Sequence, residues 1–228
     1  MIRQVTEDNN KISYLYSHLG YRALSGDVEA VKWFYANAWR EIPPLIRTLS
    51  TLQECLTASE IKKSAGETYC DEFLYYWGMI NIGEVSDLIF KDLGTAEFCF
   101  KKIEQIVPKA ESRLAFIKLL KTDEQRKSDS NMTRLEVLRH WGIKQDFFSM
   151  IAIAKIIFQG FLEEDHLDNG ELPMRLCRLL ALPCQKGHPV AIRFWNEVID
   201  YINPPAAMDM RISESKMDGD VLYDFYGC

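Results

Sequence analysis

The sequence predicts an all-α protein built of successive helical hairpins, on three observations. Apolar residues recur three and four apart along most of the chain, the spacing that places them on one face of a helix. No segment alternates apolar and polar residues with the period of two that marks a half-buried strand. Glycine and proline, 12 and 8 in 228 residues, are too few for an all-β chain, whose turns recur every few residues.

The elements follow in order. Ile12, Leu15, Leu19 and Ala23 place a first helix ahead of Gly26 and Asp27. Asp27 can accept from the free N–H groups of a first helical turn, so it opens a second helix over Val28 to Trp39. Pro43 and Pro44 stop that helix or start the next, because proline fits only a first turn; a third helix runs from about Leu45 to Leu56. Phe73, Trp77 and Ile80 mark a helix ending near Gly83, and Ala96, Cys99, Phe100 and Ile103 mark one that follows Gly94 and Thr95. Pro108 opens another, with Leu114, Ile117 and Leu120 at helical spacing.

Thr122 to Asn131 (TDEQRKSDSN) is almost wholly polar and reads as a solvated connection. Thr133 and Glu136 form a capping-box pair that starts a helix reaching Trp141. A long helix spans about Gln145 to Gln159, and Phe161 to Gly170 is an acidic loop. Helices near Leu172 to Leu182 and Pro189 to Ile202 complete the body. Residues 1–202 thus read as one helical-repeat domain. Residues 203–228 read as an extended or flexible tail, unless Val221, Leu222, Tyr223, Phe225 and Tyr226 pack back onto it.

Three segments share a frame. The first is LYSHLGYRALSGDVEAVKWFYANA, from Leu15 to Ala38. The second is FLYYWGMINIG from Phe73 to Gly83, continued by DLGTAEFCFKKI from Asp92 to Ile103. The third is SMIAIAKIIFQG from Ser149 to Gly160, continued by the helix around Pro173 to Leu182, and QKGHPVAIRFW (Gln185 to Trp195) joins one unit to another. These residues resemble the Sel-one-like repeat, a relative of the tetratricopeptide repeat, whose first helix carries a Leu-Gly pair and closes on a second glycine. Leu19-Gly20 with Gly26 fits that frame, Trp77-Gly78 with Gly83 fits it with one residue deleted, and Ile153-Ala154 with Gly160 fits it with alanine for the first glycine. Ala30, Trp33, Phe34 and Ala38 resemble the small and aromatic residues of the second helix. A small residue inside a helix lets its partner approach closely, and a closing glycine can take the left-handed conformation of a tight helix end.

The resemblance implies a right-handed solenoid of antiparallel hairpins whose first helices line a concave surface. It implies a scaffold or adaptor that holds another protein or peptide, with no catalysis and no cofactor. On that face the candidate contact residues are Tyr14, His18, Tyr21, Arg22, Tyr75, Tyr76, Met79, Lys155 and Gln159, of which the Tyr, Met and Arg are types enriched at interfaces. Some secreted members staple each hairpin with a disulfide. Cys177 and Cys184 stand seven apart, roughly 10 Å along one continuous helix, which is beyond disulfide reach.

Composition narrows the classes of function. A net charge of -6 disfavours a nucleic-acid binder, since phosphates are held by clustered Lys and Arg. Met1 to Lys11 is polar and shows no secretory leader. The most apolar stretch, Phe147 to Leu162, is interrupted by Lys155 and Gln159 and falls short of the roughly 20 residues of a membrane span. Six cysteines without CxxC spacing predict reduced thiols and a cytoplasmic protein.

Chemistry-bearing motifs are missing. There is no phosphate-binding glycine loop, nucleophile elbow or HExxH, and His18, His140, His166 and His188 are scattered. The acidic loop fails as a calcium site, because Leu167 and Leu176 fall where oxygen ligands are required. An apolar helix over Asp146 to Phe158 is unsuited to a DNA groove and belongs in a core. Two other classes stay open beside the scaffold: an enzyme with an unrecognised active site, and an acidic immunity or inhibitor protein facing a basic toxin.

Overall fold

Asp27 acts as its position ahead of an apolar run requires. Its carboxylate accepts from the N–H groups of Glu29 and Ala30 and starts a helix at Val28. The computed structural model describes residues 14–64, 68–121, 129–163, 171–202 and 211–222. Helix α1 covers residues 14–24. It is followed by α2 (Val28–Asn37), a 3-10 turn (Ala38–Arg40), α3 (Pro43–Cys55), α4 (Ala58–Lys63), α5 (Asp71–Ile82) and α6 (Leu93–Ile103). Then come α7 (Ala110–Lys121), α8 (Asp129–Ile143), α9 (Phe147–Glu163), α10 (Glu171–Gln185) and α11 (Pro189–Ile202), with 3-10 turns at Glu214–Lys216 and Gly219–Leu222. The described residues include no strand.

The chain divides into two units, Met1–Ala110 and Glu111–Cys228, so the helical domain expected over residues 1–202 spans both. In the first unit α5 is the central element. All of its residues from Phe73 to Ile82 are buried, and α2 and α6 pack against it. Gly78 permits the approach of α6: a Cβ there would stand 2.8 and 2.9 Å from Cζ and Cε2 of Phe100. A helix buried all round must satisfy its polar side chains internally. The Trp77 indole N–H donates to the Leu56 carbonyl at 3.0 Å, and the Asn81 amide donates to the Trp77 carbonyl at 2.8 Å. Gln53 donates to Asn81 Oδ1 at 3.0 Å and to the Phe90 carbonyl at 2.8 Å, tying α3 and the loop after α5 to the same point. Gly26 and Gly83 both have positive φ, 85° and 72°, as closing glycines of the frame require.

In the second unit α8, α10 and α11 pack on α9. Leu176, Leu180, Ala191, Ile192, Trp195 and Val198 close over Ile151, Ala154 and Phe158 in one apolar cluster. At the start of α9 lies a buried ion pair. Arg113 of α7 donates to Asp146 Oδ2 at 2.5 Å and to the Ser112 hydroxyl at 2.7 Å, with its guanidinium 4.5 Å from the Phe148 ring centroid. The same carboxylate oxygen accepts from the Ser149 N–H at 3.1 Å and from the Ser149 hydroxyl, so one side chain both neutralises Arg113 and caps α9.

Several expectations are corrected. Leu15 is 51% exposed, and the inward face of α1 is Tyr16, Gly20 and Ala23. Ile12 lies outside the described residues. Thr133 and Glu136 are not a capping box: α8 begins at Asp129, so both residues lie inside the helix. Helix α9 runs on to Glu163, so Gly160 lies inside it and closes nothing. Helix α10 runs through Pro183 to Gln185 rather than ending near Leu182, although proline has no N–H to give the helical ladder. Gly187, with φ 81°, closes α10 instead, ahead of α11. Within the tail, Ile212 and Met217 pack on the second unit's apolar cluster and Leu222 is buried. Tyr223, Phe225 and Tyr226 lie outside the described residues.

Two substitutions separate the glycines. Gly78→Ala must push the Phe100 ring, and the overpacking, about 1–3 kcal/mol, outweighs the gain of roughly 1 kcal/mol in helix propensity. Gly160 has nothing within 4 Å of its missing Cβ, so Gly160→Ala raises stability by up to about 1 kcal/mol. Urea unfolding of the two variants should move in opposite directions. In the second unit, Asp146→Ala strands the buried Arg113 charge and loses about 3–5 kcal/mol, while Arg113→Met combined with Asp146→Leu loses less than that single change. The same denaturation measurement checks this ranking.

Candidate functional site

The outer side of α1 follows from its inner one. With Tyr16, Gly20 and Ala23 turned inward, the helical period sets Tyr14, Ser17, His18 and Tyr21 outward, and all four are exposed. Gly20 lets α3 come close, its absent Cβ lying 3.0 Å from Thr48 Cγ2. Between the two helices runs a groove of about 450 Å³, within the roughly 300–1,000 Å³ of ligand sites. Ser17, Gly20, Tyr21 and Leu24 form one wall, and Pro44, Arg47, Thr48, Thr51 and Leu52 form the other.

The chemistry of the groove is amphiphilic. The Thr48 hydroxyl donates back to the Pro44 carbonyl at 3.0 Å and the Thr51 hydroxyl to the Arg47 carbonyl at 3.2 Å. Those donors are consumed within α3, which leaves Thr methyl groups, Pro44, Leu24 and Leu52 as an apolar lining. Tyr21 stands at the open side, 71% exposed, and Tyr14, 76% exposed, lies two turns earlier on the same helix. Arg22 is held by Asp27 at 2.6 Å. The Arg47 guanidinium, in contrast, meets no ion-pair partner among the described residues.

Of the nine residues expected to line a concave face, the structure sets Tyr14, His18, Tyr21 and Arg22 on the exposed side of α1. Tyr75, Tyr76 and Met79 are corrected to core residues, because α5 has no open face. Tyr75 packs edge-on against Tyr76 and Phe100, and Tyr76 packs against Tyr35. Lys155 and Gln159 lie on α9 in the other unit, Lys155 half-buried with its ammonium 5.9 Å from the Phe194 ring centroid, Gln159 exposed. Sequence reasoning missed the α3 wall entirely. The third helix was visible, but nothing in its composition says that it lies beside α1.

Among the described residues, the buried titratable groups offer no activated nucleophile. Burial pushes the Cys99 thiol well above its usual range and the Cys184 thiol up to about 12, so both are protonated at neutral pH. His188 sits at the N-terminus of α11, where its Nδ1 accepts from the Ala191 N–H at 3.4 Å. Burial lowers it to about 4, against a smaller opposing pull from Asp146. Among the described residues no group of three or more His, Cys, Asp or Glu side chains could hold a metal ion, and no helix is long and apolar enough to cross a membrane. The acidic segment 164–170 lies outside them.

Fold and groove define a class, an all-α protein of two helical units with an amphiphilic groove on the first. No family model matches the chain, and no curated protein and no solved structure matches it.

His188 makes stability depend on pH. Unfolded, it takes up a proton near its ordinary 6.5, and folded only near 4, so acid favours unfolding between those values. Its contribution is whole above pH 6.5 and is lost as the pH falls toward 4. His188→Asn keeps an acceptor for the Ala191 N–H and cannot be protonated. Between pH 7 and pH 4.5 the wild-type chain should lose about 2–3 kcal/mol more than this variant in urea unfolding.

Proposed function

We propose that this chain is a helical-repeat scaffold of the Sel-one-like kind that binds another protein through the α1–α3 groove. The observation that carries the reading is the pairing of exposed Tyr21 with an apolar trough and the open Arg47 guanidinium. Tyrosine and arginine dominate the binding energy of interfaces, because each buries a large surface and still offers a polar tip. The glycines of the frame support the repeat assignment: Gly78 admits a partner helix, and Gly26, Gly83 and Gly187 take positive φ at helix ends. The third copy is the weakest support, since Gly160 lies inside α9.

The partner presents apolar side chains with a carboxylate that meets Arg47. That favours an acidic or mixed peptide segment over a basic surface. An inhibitor of a basic toxin would need an acidic contact face, and the open charge in this groove is a cation. An enzymatic reading finds no support among the buried thiols and His188, which are held in their neutral forms.

Affinity capture from native lysate tests the reading, with the full chain compared to Tyr21→Ala, Arg47→Glu and an exposed control on α8, Arg139→Glu. One or two proteins retained in stoichiometric amounts should weaken by about 2 kcal/mol, roughly thirtyfold in Kd, with the groove variants and stay unchanged with the control. An identical retained set from all four chains would remove the groove from consideration.

A further inference from the structure

A second cavity, unrelated to the groove on α1, lies in the other unit, where residues 211–216 run back beside α10 and α11. Its volume is about 380 Å³, again inside the roughly 300–1,000 Å³ range of ligand sites. Cys177, Leu180 and Cys184 of α10 form one wall, Trp195 of α11 the next, and Ile212 and Lys216 the third.

The third wall is anchored. Asn196 donates to the Ile212 carbonyl at 2.9 Å and accepts from the Ile212 N–H at 3.0 Å, the reciprocal pairing that an amide makes with a backbone unit. Arg211 pairs with Asp200 just before it. Just after it the Asp218 N–H donates to the Gly187 carbonyl at 2.8 Å. Gly187 is what admits the segment, for a Cβ there would lie 2.5 Å from the Lys216 carbonyl oxygen. The segment is therefore fixed on both sides of the cavity.

The lining is apolar at depth and cationic at the rim. Leu180, Cys184 and Trp195 are buried and belong to the unit's main apolar cluster. Lys216 is exposed, and its ammonium meets no ion-pair partner among the described residues. Arg178 and Lys186 are exposed but are not among the lining residues, of which Lys216 is the single cation. Glu214 and Asp218 flank Lys216 in sequence and are exposed. A single ammonium over an apolar floor suits a monoanion carried on a hydrocarbon chain. A peptide passing through would have to displace the anchored segment.

We propose that this cavity binds a small amphiphile, an unbranched apolar chain ending in a carboxylate, with the chain against Leu180 and Trp195 and the carboxylate at Lys216. Cys177, exposed at the edge of the cavity, reports occupancy. The test is the rate at which N-ethylmaleimide labels each cysteine of the full chain, read by peptide mass spectrometry, with decanoate or uncharged decanol present. At about ten times the half-saturating decanoate concentration, roughly one molecule in eleven is unliganded, so Cys177 labelling slows about elevenfold. Cys55 and Cys70, exposed in the first unit, keep their rates. Decanol protects less than decanoate, and Lys216→Gln erases the difference between them. No slowing at Cys177, or equal slowing at Cys55 and Cys70, overturns the site. Equal protection by decanol and decanoate in the unmodified chain overturns the carboxylate assignment.

Discussion

The first unit depends on burying α5 on every side. A helix with no open face cannot solve its packing by amphipathicity, because each direction must meet another element closely enough to leave no void. Gly78 supplies the close approach on the α6 side, where even a methyl group would strike Phe100. The polar cost is met by a chain of amides, Trp77 to the Leu56 carbonyl and Gln53 to Asn81 and the Phe90 carbonyl. Those bonds also fix where α3 and the loop 83–92 lie. Since α3 is one wall of the surface groove, the buried amides position a site they never touch.

The second unit solves the same problem with charge. Asp146 is shared between a buried guanidinium and the first turn of α9, and desolvation offsets much of the Coulomb gain of such a pair. His188 does a related task at the start of α11 as a neutral acceptor. Both devices tie helix ends rather than helix faces. Residues 211–218 dock against Gly187 at the α10–α11 turn and against Asn196 midway along α11.

The two cavities differ in kind. The groove on α1 is rimmed by the exposed Tyr21 and opens along two helices, a geometry for a macromolecular segment. The cavity under residues 211–216 is walled on three sides by anchored elements and offers one ammonium, a geometry for a small ligand. Neither has the convergent titratable groups that catalysis requires.

The helical class, most helix positions and the punctuation at Asp27, Pro43, Gly83 and Pro189 were legible from periodicity and capping, because these are local effects acting within one or two turns. The exposed aromatic face of α1 was legible for the same reason, although Leu15 and Tyr16 exchanged places by one position on the helix. Burial of Tyr75, Tyr76 and Met79 was not, since a helix enclosed on all sides shows the same residues as one with an open aromatic face until its neighbours are known. The α3 wall, the partnership of Arg113 with Asp146 across 33 positions and the docking of Ile212 on Asn196 were settled only in three dimensions. By itself the sequence determined the helical class and most helix positions, but not the start of α8 or the ends of α9 and α10. The tertiary structure decided which helix lies beside which, because that choice rests on close fits such as Gly20 to Thr48 and Gly78 to Phe100, between residues that no local pattern links.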